Sequence, residues 1–217
     1  MLSRQAIVSS LCVMVLIAVS ISGCGQPVDL PVPTPAPTAT LVAGWKRLTN
    51  KGVSIAVPDT FVGGDLTASD QKMISDNLKQ FGNDFERMAE TIKQNPDLYL
   101  LYGMETEPTP SGIFTNLNVV QEKVMSAIDV AAYMQAVEKQ LPQQFKIKSR
   151  EETTLFGQAA GRVVLELTMA NKDMTELIYL FKRGDYMYLV TYTTGSDEFE
   201  EKLPMFEQSI QTFTLNQ

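Results

Sequence analysis

Between residues 161 and 194, three apolar runs follow one another so closely that a meander of antiparallel strands is the arrangement that fits them. They cover 161–170, 174–183 and 186–194. Their junctions, Asn171-Lys172-Asp173 and Arg183-Gly184-Asp185, have the chemistry of tight turns. A sheet built this way has apolar faces to cover, and the rest of the chain must supply the cover.

The segments around the meander do so. Residues 45–50 and 53–57 form a strand pair around Asn50, Lys51 and Gly52, and Pro58 ends it. After Ser69, apolar residues fall at Ile74, Leu78, Phe81, Phe85, Met88 and Ile92, in alternating steps of four and three. That is the period of one helix face; Gly82 weakens the helix by about 1 kcal/mol and Pro96 stops it. Residues 98–104 and 114–124 read as two more strands. Asp129 caps a second helix that buries Met134, Val137 and Leu141 and closes at Pro142. Ser196 and Asp197 start a final helix with Phe199, Leu203, Phe206, Ile210 and Phe213 on one side; its internal Pro204 predicts a kink or a split. Three amphipathic helices are too many for one face of a sheet. The fold class that follows is α+β, an α/β/α sandwich with a central, mainly antiparallel sheet over residues 45–217.

Upstream, an apolar stretch of about 11–21 follows Arg4 and ends at Ile21, Ser22, Gly23 and Cys24. These four resemble the bacterial lipobox, in which the cysteine is acylated on sulfur and becomes the new N-terminus. The resemblance implies a lipoprotein signal peptide over 1–23, removed on maturation, and acyl chains such as palmitate on Cys24. Two or more such chains hold a protein stably on a bilayer. Residues 24–44 then carry Pro27, Pro31, Pro33, Pro35 and Pro37, a composition that favours an extended tether able to span roughly 50 Å. The implied location is extracytoplasmic, lipid-anchored to the bacterial cell membrane.

Arg4 is the only charge in residues 1–23, so the remainder holds 17 basic against 25 acidic side chains, a net −8. Nucleic acid is excluded as a partner by the absence of a basic stripe. There is no histidine, and both cysteines, Cys12 and Cys24, precede the folded part. The commonest general base, the commonest nitrogen ligand for metals, a thiol nucleophile and a disulfide are all missing from it. No cofactor is expected, and the domain should fold without metal.

The stretches "GVSIAVPDTF", "NLNVVQE", "FGQAAGRVVLELT", "GDYMYLVTYT" and "FEQSIQTFTL", taken in this order, resemble the PsbP-like α/β/α sandwich over about residues 45–215. That family includes an extrinsic subunit of photosystem II, a yeast Ran-binding protein and bacterial lipoproteins. The resemblance implies noncatalytic scaffolding or assembly work. The chain departs from some members in offering no histidine for a metal site.

Several clusters invite a sharper reading. Tyr186, Tyr188 and Tyr192 share one strand face and form either core packing, the favoured use, or an aromatic ligand wall. Asp197, Glu198, Glu200 and Glu201 offer carboxylates to a hard cation, yet acids are expected in a first helical turn in any case. Glu151 and Glu152, adjacent on a strand, point to opposite faces. No GxSxG or SxxK occurs, and Gly63-Gly64 and Gly157 with Gly161 do not continue into phosphate loops. The loop 105–114 has the most apolar content among polar turns; Glu107, Ile113 and Phe114 are its candidate partner-contacting residues, unless Ile113 and Phe114 simply begin the next strand. The leading function is a noncatalytic, lipid-anchored interaction or assembly domain that binds an envelope protein. The alternative is a small-ligand or metal-ion carrier or sensor, and a third class is a hydrolase built on paired carboxylates.

Overall fold

The computed structural model describes residues 41–64, 99–169 and 171–215. The expected signal segment, Cys24, most of the expected tether and the expected helix after Ser69 lie outside the described residues.

The opening hairpin forms as its turn residues require. Lys51 and Gly52 both have positive φ, 43° and 77°, the twist that lets strands β1 (Trp45–Asn50) and β2 (Val53–Pro58) pair directly. This hairpin does not join the main sheet. It makes a three-stranded sheet of order β1-β2-β10 with the short strand β10 (Thr214–Leu215).

The main sheet has seven antiparallel strands in the order β3-β4-β5-β9-β8-β7-β6. They are β3 (Phe61–Gly63), β4 (Leu101–Glu105), β5 (Asn116–Lys123), β6 (Phe145–Leu155), β7 (Gln158–Met169), β8 (Lys172–Arg183) and β9 (Tyr186–Gly195). The expected meander is present as β7-β8-β9. It is extended on one side by β6, an edge strand whose largely exposed KSREETT stretch carries no apolar alternation.

Side chains alternate across the sheet, so each face builds its own core. Leu117, Val119, Leu177, Tyr179, Phe181, Val190 and Tyr192 face helix α2 (Phe199–Ile210) and the small sheet, which contribute Phe199, Phe206, Ile210, Val53, Ile55 and Val57. Leu165, Leu167, Met174, Leu180 and Met187 face the other way, toward helix α1 (Val130–Gln140) with its Val130, Tyr133 and Met134. Each such side chain contributes about 1.5–3 kcal/mol on full burial. The fold is therefore α+β, with a central antiparallel sheet between two covering layers.

Asp129 caps α1 as expected, its Oδ1 accepting from the Ala132 amide at 2.8 Å. Pro204 does not split the helix: α2 is continuous through it after a single 3-10 turn, Ser196–Glu198. Pro204 is exposed, so the carbonyl it leaves without a donor can be met by water while Phe206 and Ile210 hold the other side of the helix in the core.

Candidate interaction surface

Ile113 and Phe114 are 2% and 4% exposed and belong to the core on the α1 face. This corrects their reading as partner-contacting residues: an apolar pair flanking a strand start was drawn inward, and only Thr106, Glu107, Pro108 and Pro110 of that loop face solvent. The loop is also tied down. Glu198 accepts from the Ser111 amide at 2.9 Å and from the Ser111 hydroxyl at 3.0 Å. Lys172 Nζ donates to the Ser111 carbonyl at 2.6 Å, and Lys202 pairs with Glu105 at 2.7 Å. Gly195 permits this approach, because a Cβ there would overlap Glu198 Oε2 and Ser111 Oγ.

Glu198 thus has a structural partner instead of converging with Asp197, Glu200 and Glu201. Among the described residues no group of three or more Asp, Glu, Cys or His is placed to hold a metal ion. Glu151 is likewise engaged, by Arg162 at 3.1 Å. That guanidinium also pairs with Glu207 of α2 at 3.0 Å, and Glu207 accepts from the Tyr179 hydroxyl. Burial and the Glu207 hydrogen bond both raise the Tyr179 pKa. On the opposite face Tyr133 donates to Glu122 at 2.6 Å, and burial raises the pKa of both groups. These acids and tyrosines join elements of the fold to one another.

The tyrosines of β9 divide. Tyr192 is fully buried and stacks on Phe206 at 4.8 Å; Tyr188 stacks on Phe181 at 5.7 Å. Both pack, as favoured from the sequence. Tyr186 stays 38% exposed. Among the described residues, a small-ligand reading finds an open groove of about 240 Å³ lined by Gln144, Lys146, Glu166, Leu167, Thr168, Asp173 and Ser196. Its volume is below the roughly 300 Å³ at which ligand pockets usually begin, and its lining is polar where such pockets are mostly apolar.

One buried acid has no such tie on its outer oxygen. Glu176 of β8 is 2% exposed, and its Oε2 has no hydrogen-bond partner. Burial pushes its pKa up to about 7, against the opposing effect of a hydrogen bond from Thr193.

Large apolar side chains are exposed at two places among the described residues: Leu41 and Val42, where the chain enters the domain, and a second group at one end of the main sheet. Met125, Phe156 and Tyr186 are 43%, 37% and 38% exposed, and all three sit where β5 ends, β6 turns into β7 and β8 turns into β9. Antiparallel register makes these one end of the sheet: Lys123 pairs with Tyr186, Tyr186 with Arg183, and Ala160 with Phe181. Phe156 reaches its place with φ of 53°, a left-handed conformation rare for an aromatic residue, and its ring lies 5.5 Å edge-on from that of Phe181. The chain enters the domain at the opposite end, where Gly44 accepts from the Asp59 amide and Thr60 from the amide of Thr106. In the sequence, this site reads as turns alone. The available signal was Phe156 beside Gly157, a large aromatic at a turn position that polar residues usually take.

No protein-family model and no curated protein matches the sequence. Among solved structures, the chain is similar to LpqN of Mycobacterium tuberculosis, described as involved in cell envelope biogenesis, at 13% identity and TM-score 0.49 over 80% of this chain and 91% of that one. It is also similar to the cyanobacterial PsbP of Synechocystis, at 12% identity and TM-score 0.48 over 85% and 99%. A third similar structure is the Ran-binding protein Mog1p of Saccharomyces cerevisiae, at 10% identity and TM-score 0.48 over 79% and 95%.

Proposed function

We propose that this chain is a noncatalytic interaction domain, held on the outer side of a bacterial cell membrane by acyl chains on Cys24 and presented on the tether 24–44 to a protein of the cell envelope. The observation that carries the reading is the gathering of Met125, Phe156 and Tyr186 at one end of the sheet. Apolar side chains left exposed singly need no explanation, but three on adjoining turns make a surface suited to another protein. It supports the reading that Glu122, Glu151, Glu198 and Glu207 are each engaged by a donor that joins elements of the fold.

The surface lies about one strand length from where the chain enters the domain, roughly 30 Å for a ten-residue strand. Tethered through Trp45, the domain would carry this end away from its attachment. The test is a photo-crosslinking residue placed at Phe156 or, separately, at Glu107 in the full chain in native membranes. A discrete protein adduct from position 156 and none from 107 is the expected result. Adducts from both positions alike, or from neither, overturn the assignment.

A further inference from the structure

The same end of the sheet carries a charge pattern that says what kind of partner it suits. On the α2 face the outermost row consists of Gln158 of β7, Arg183 of β8, Tyr186 of β9 and Lys123 of β5. Arg183 and Lys123 lie either side of Tyr186 by register, and Gln158 continues the row two residues outward from the Ala160–Phe181 pair. The next row inward is Ala160, Phe181, Tyr188 and Gln121. Lys123 and Tyr186 are exposed, so the row is open toward β5 and β9; Arg183 and Gln158 are half-buried, and at the β6 end Leu155, the register partner of Gln158, is buried in the core on the α2 face.

Both charges in the row are positive, in a chain whose formal charge is −7. Neither Lys123 nor Arg183 forms an ion pair among the described residues. The adjacent acid, Glu122, points to the opposite face and is taken by Tyr133; Asp185 is exposed in the turn beyond. Two donors of the row, Arg183 Nε and Gln158 Nε2, are shielded from solvent and have no acceptor. A donor removed from water without a partner costs about 1–3 kcal/mol, so the fold leaves part of this row unsatisfied.

We infer that this row docks an acidic segment of a partner protein, with carboxylates of the segment received by Arg183 and by Lys123 and its apolar side chains laid on Tyr186 and on Phe156. The inference rests on the interaction-domain reading and adds the chemistry of the partner. Arginine takes a carboxylate through paired N–H donors, which fixes orientation as well as sign. An anionic bilayer is the weaker fit: each cation near such a surface contributes about 1 kcal/mol, and two do not hold a domain there.

The experiment uses the full chain in nonionic detergent, titrated with a short fluorescent peptide of alternating phenylalanine and glutamate and with its phenylalanine–lysine counterpart. The glutamate peptide should bind, the lysine peptide should not, and Arg183→Gln and Lys123→Gln should each weaken binding about tenfold or more at an unchanged melting temperature. Glu107→Gln, at the other end of the domain, should leave binding as it was. No binding of the glutamate peptide, equal binding of both peptides, insensitivity to Arg183→Gln, or binding only to phosphatidylglycerol vesicles each overturns the proposal. Crosslinking from position 156 separates this failure from that of the underlying reading. An adduct that survives Arg183→Gln leaves the surface standing and removes the acidic partner, whereas loss of any adduct in the unsubstituted chain removes both.

Discussion

Glu198 holds Ser111 by two hydrogen bonds, one from its amide and one from its hydroxyl, across 87 residues of sequence. Hydrogen bonds to a charged group contribute about 1.5–3 kcal/mol, so Glu198→Ala should destabilise the domain by about 2 kcal/mol in urea unfolding. Gly195→Ala should also destabilise it, because the added methyl occupies the space of the same two side chains. The two losses should not add: once the carboxylate is gone, Ser111 can yield to the methyl, and the double variant should cost less than the sum. Full additivity would show that the two residues act on separate features.

The buried carboxyl of Glu176 gives the fold a dependence on pH. Its folded pKa of about 7 lies above the 4.5 of the free group, so between these values the folded state keeps a proton that the unfolded state has lost. Stability should therefore fall as pH rises from about 4.5 to 7, and then level off. The loss is on the order of 3 kcal/mol. Glu176→Gln, which stays neutral, should remove this slope. Its gain over the unsubstituted protein should be small at pH 5 and largest at pH 8. A constant difference across that range in urea titrations would contradict the assignment.

The two ends of the loop 105–114 should respond in opposite ways to substitution. Ile113→Ser removes a core side chain and should cost about 3 kcal/mol in unfolding free energy. Glu107→Lys alters an exposed charge and should stay within about 0.5 kcal/mol of the unsubstituted protein. Equal effects in thermal melts would mean that the loop is not anchored as described.

For the N-terminal segment, Cys24→Ser should leave unprocessed precursor and abolish incorporation of labelled fatty acid. Residues 45–217 alone should fold in a reducing cytoplasm and melt at the same temperature with and without a chelator, since a metal bound only by the native state would raise the melting point. Processing and labelling that survive the serine substitution would remove the anchor from the functional reading.

Patterns confined to neighbouring residues were legible in the sequence, and pairings between distant ones were not. The Lys51-Gly52 turn, the Asp129 cap and the β7-β8-β9 meander each follow from residues that touch along the chain. β6 lacked a signal because the face of an edge strand is not required to be apolar, and its run of charges reads like a loop. Ile113 and Phe114 admitted two readings because loop composition says nothing about which way the chain folds back. The row of Gln158, Arg183, Tyr186 and Lys123 exists only through the registers of four strands, including the β5–β9 pair that joins residues about 70 apart. The place of Glu198 depended in the same way on Ser111, which no spacing rule connects to it.

The small sheet also bears on when the domain can finish folding. β10 pairs with β2, so a strand near residue 54 waits for a strand near residue 214 before its free edge is filled. Thr212 adds to the closure, accepting from the Ala56 amide at 2.7 Å, while Ser209 donates to the Ala56 carbonyl at 2.7 Å. Contacts so distant in sequence make folding slow, and on a growing chain they cannot form until synthesis has passed residue 215. During translation the hairpin β1-β2 therefore stays open on one side until the last strand of the domain has been made.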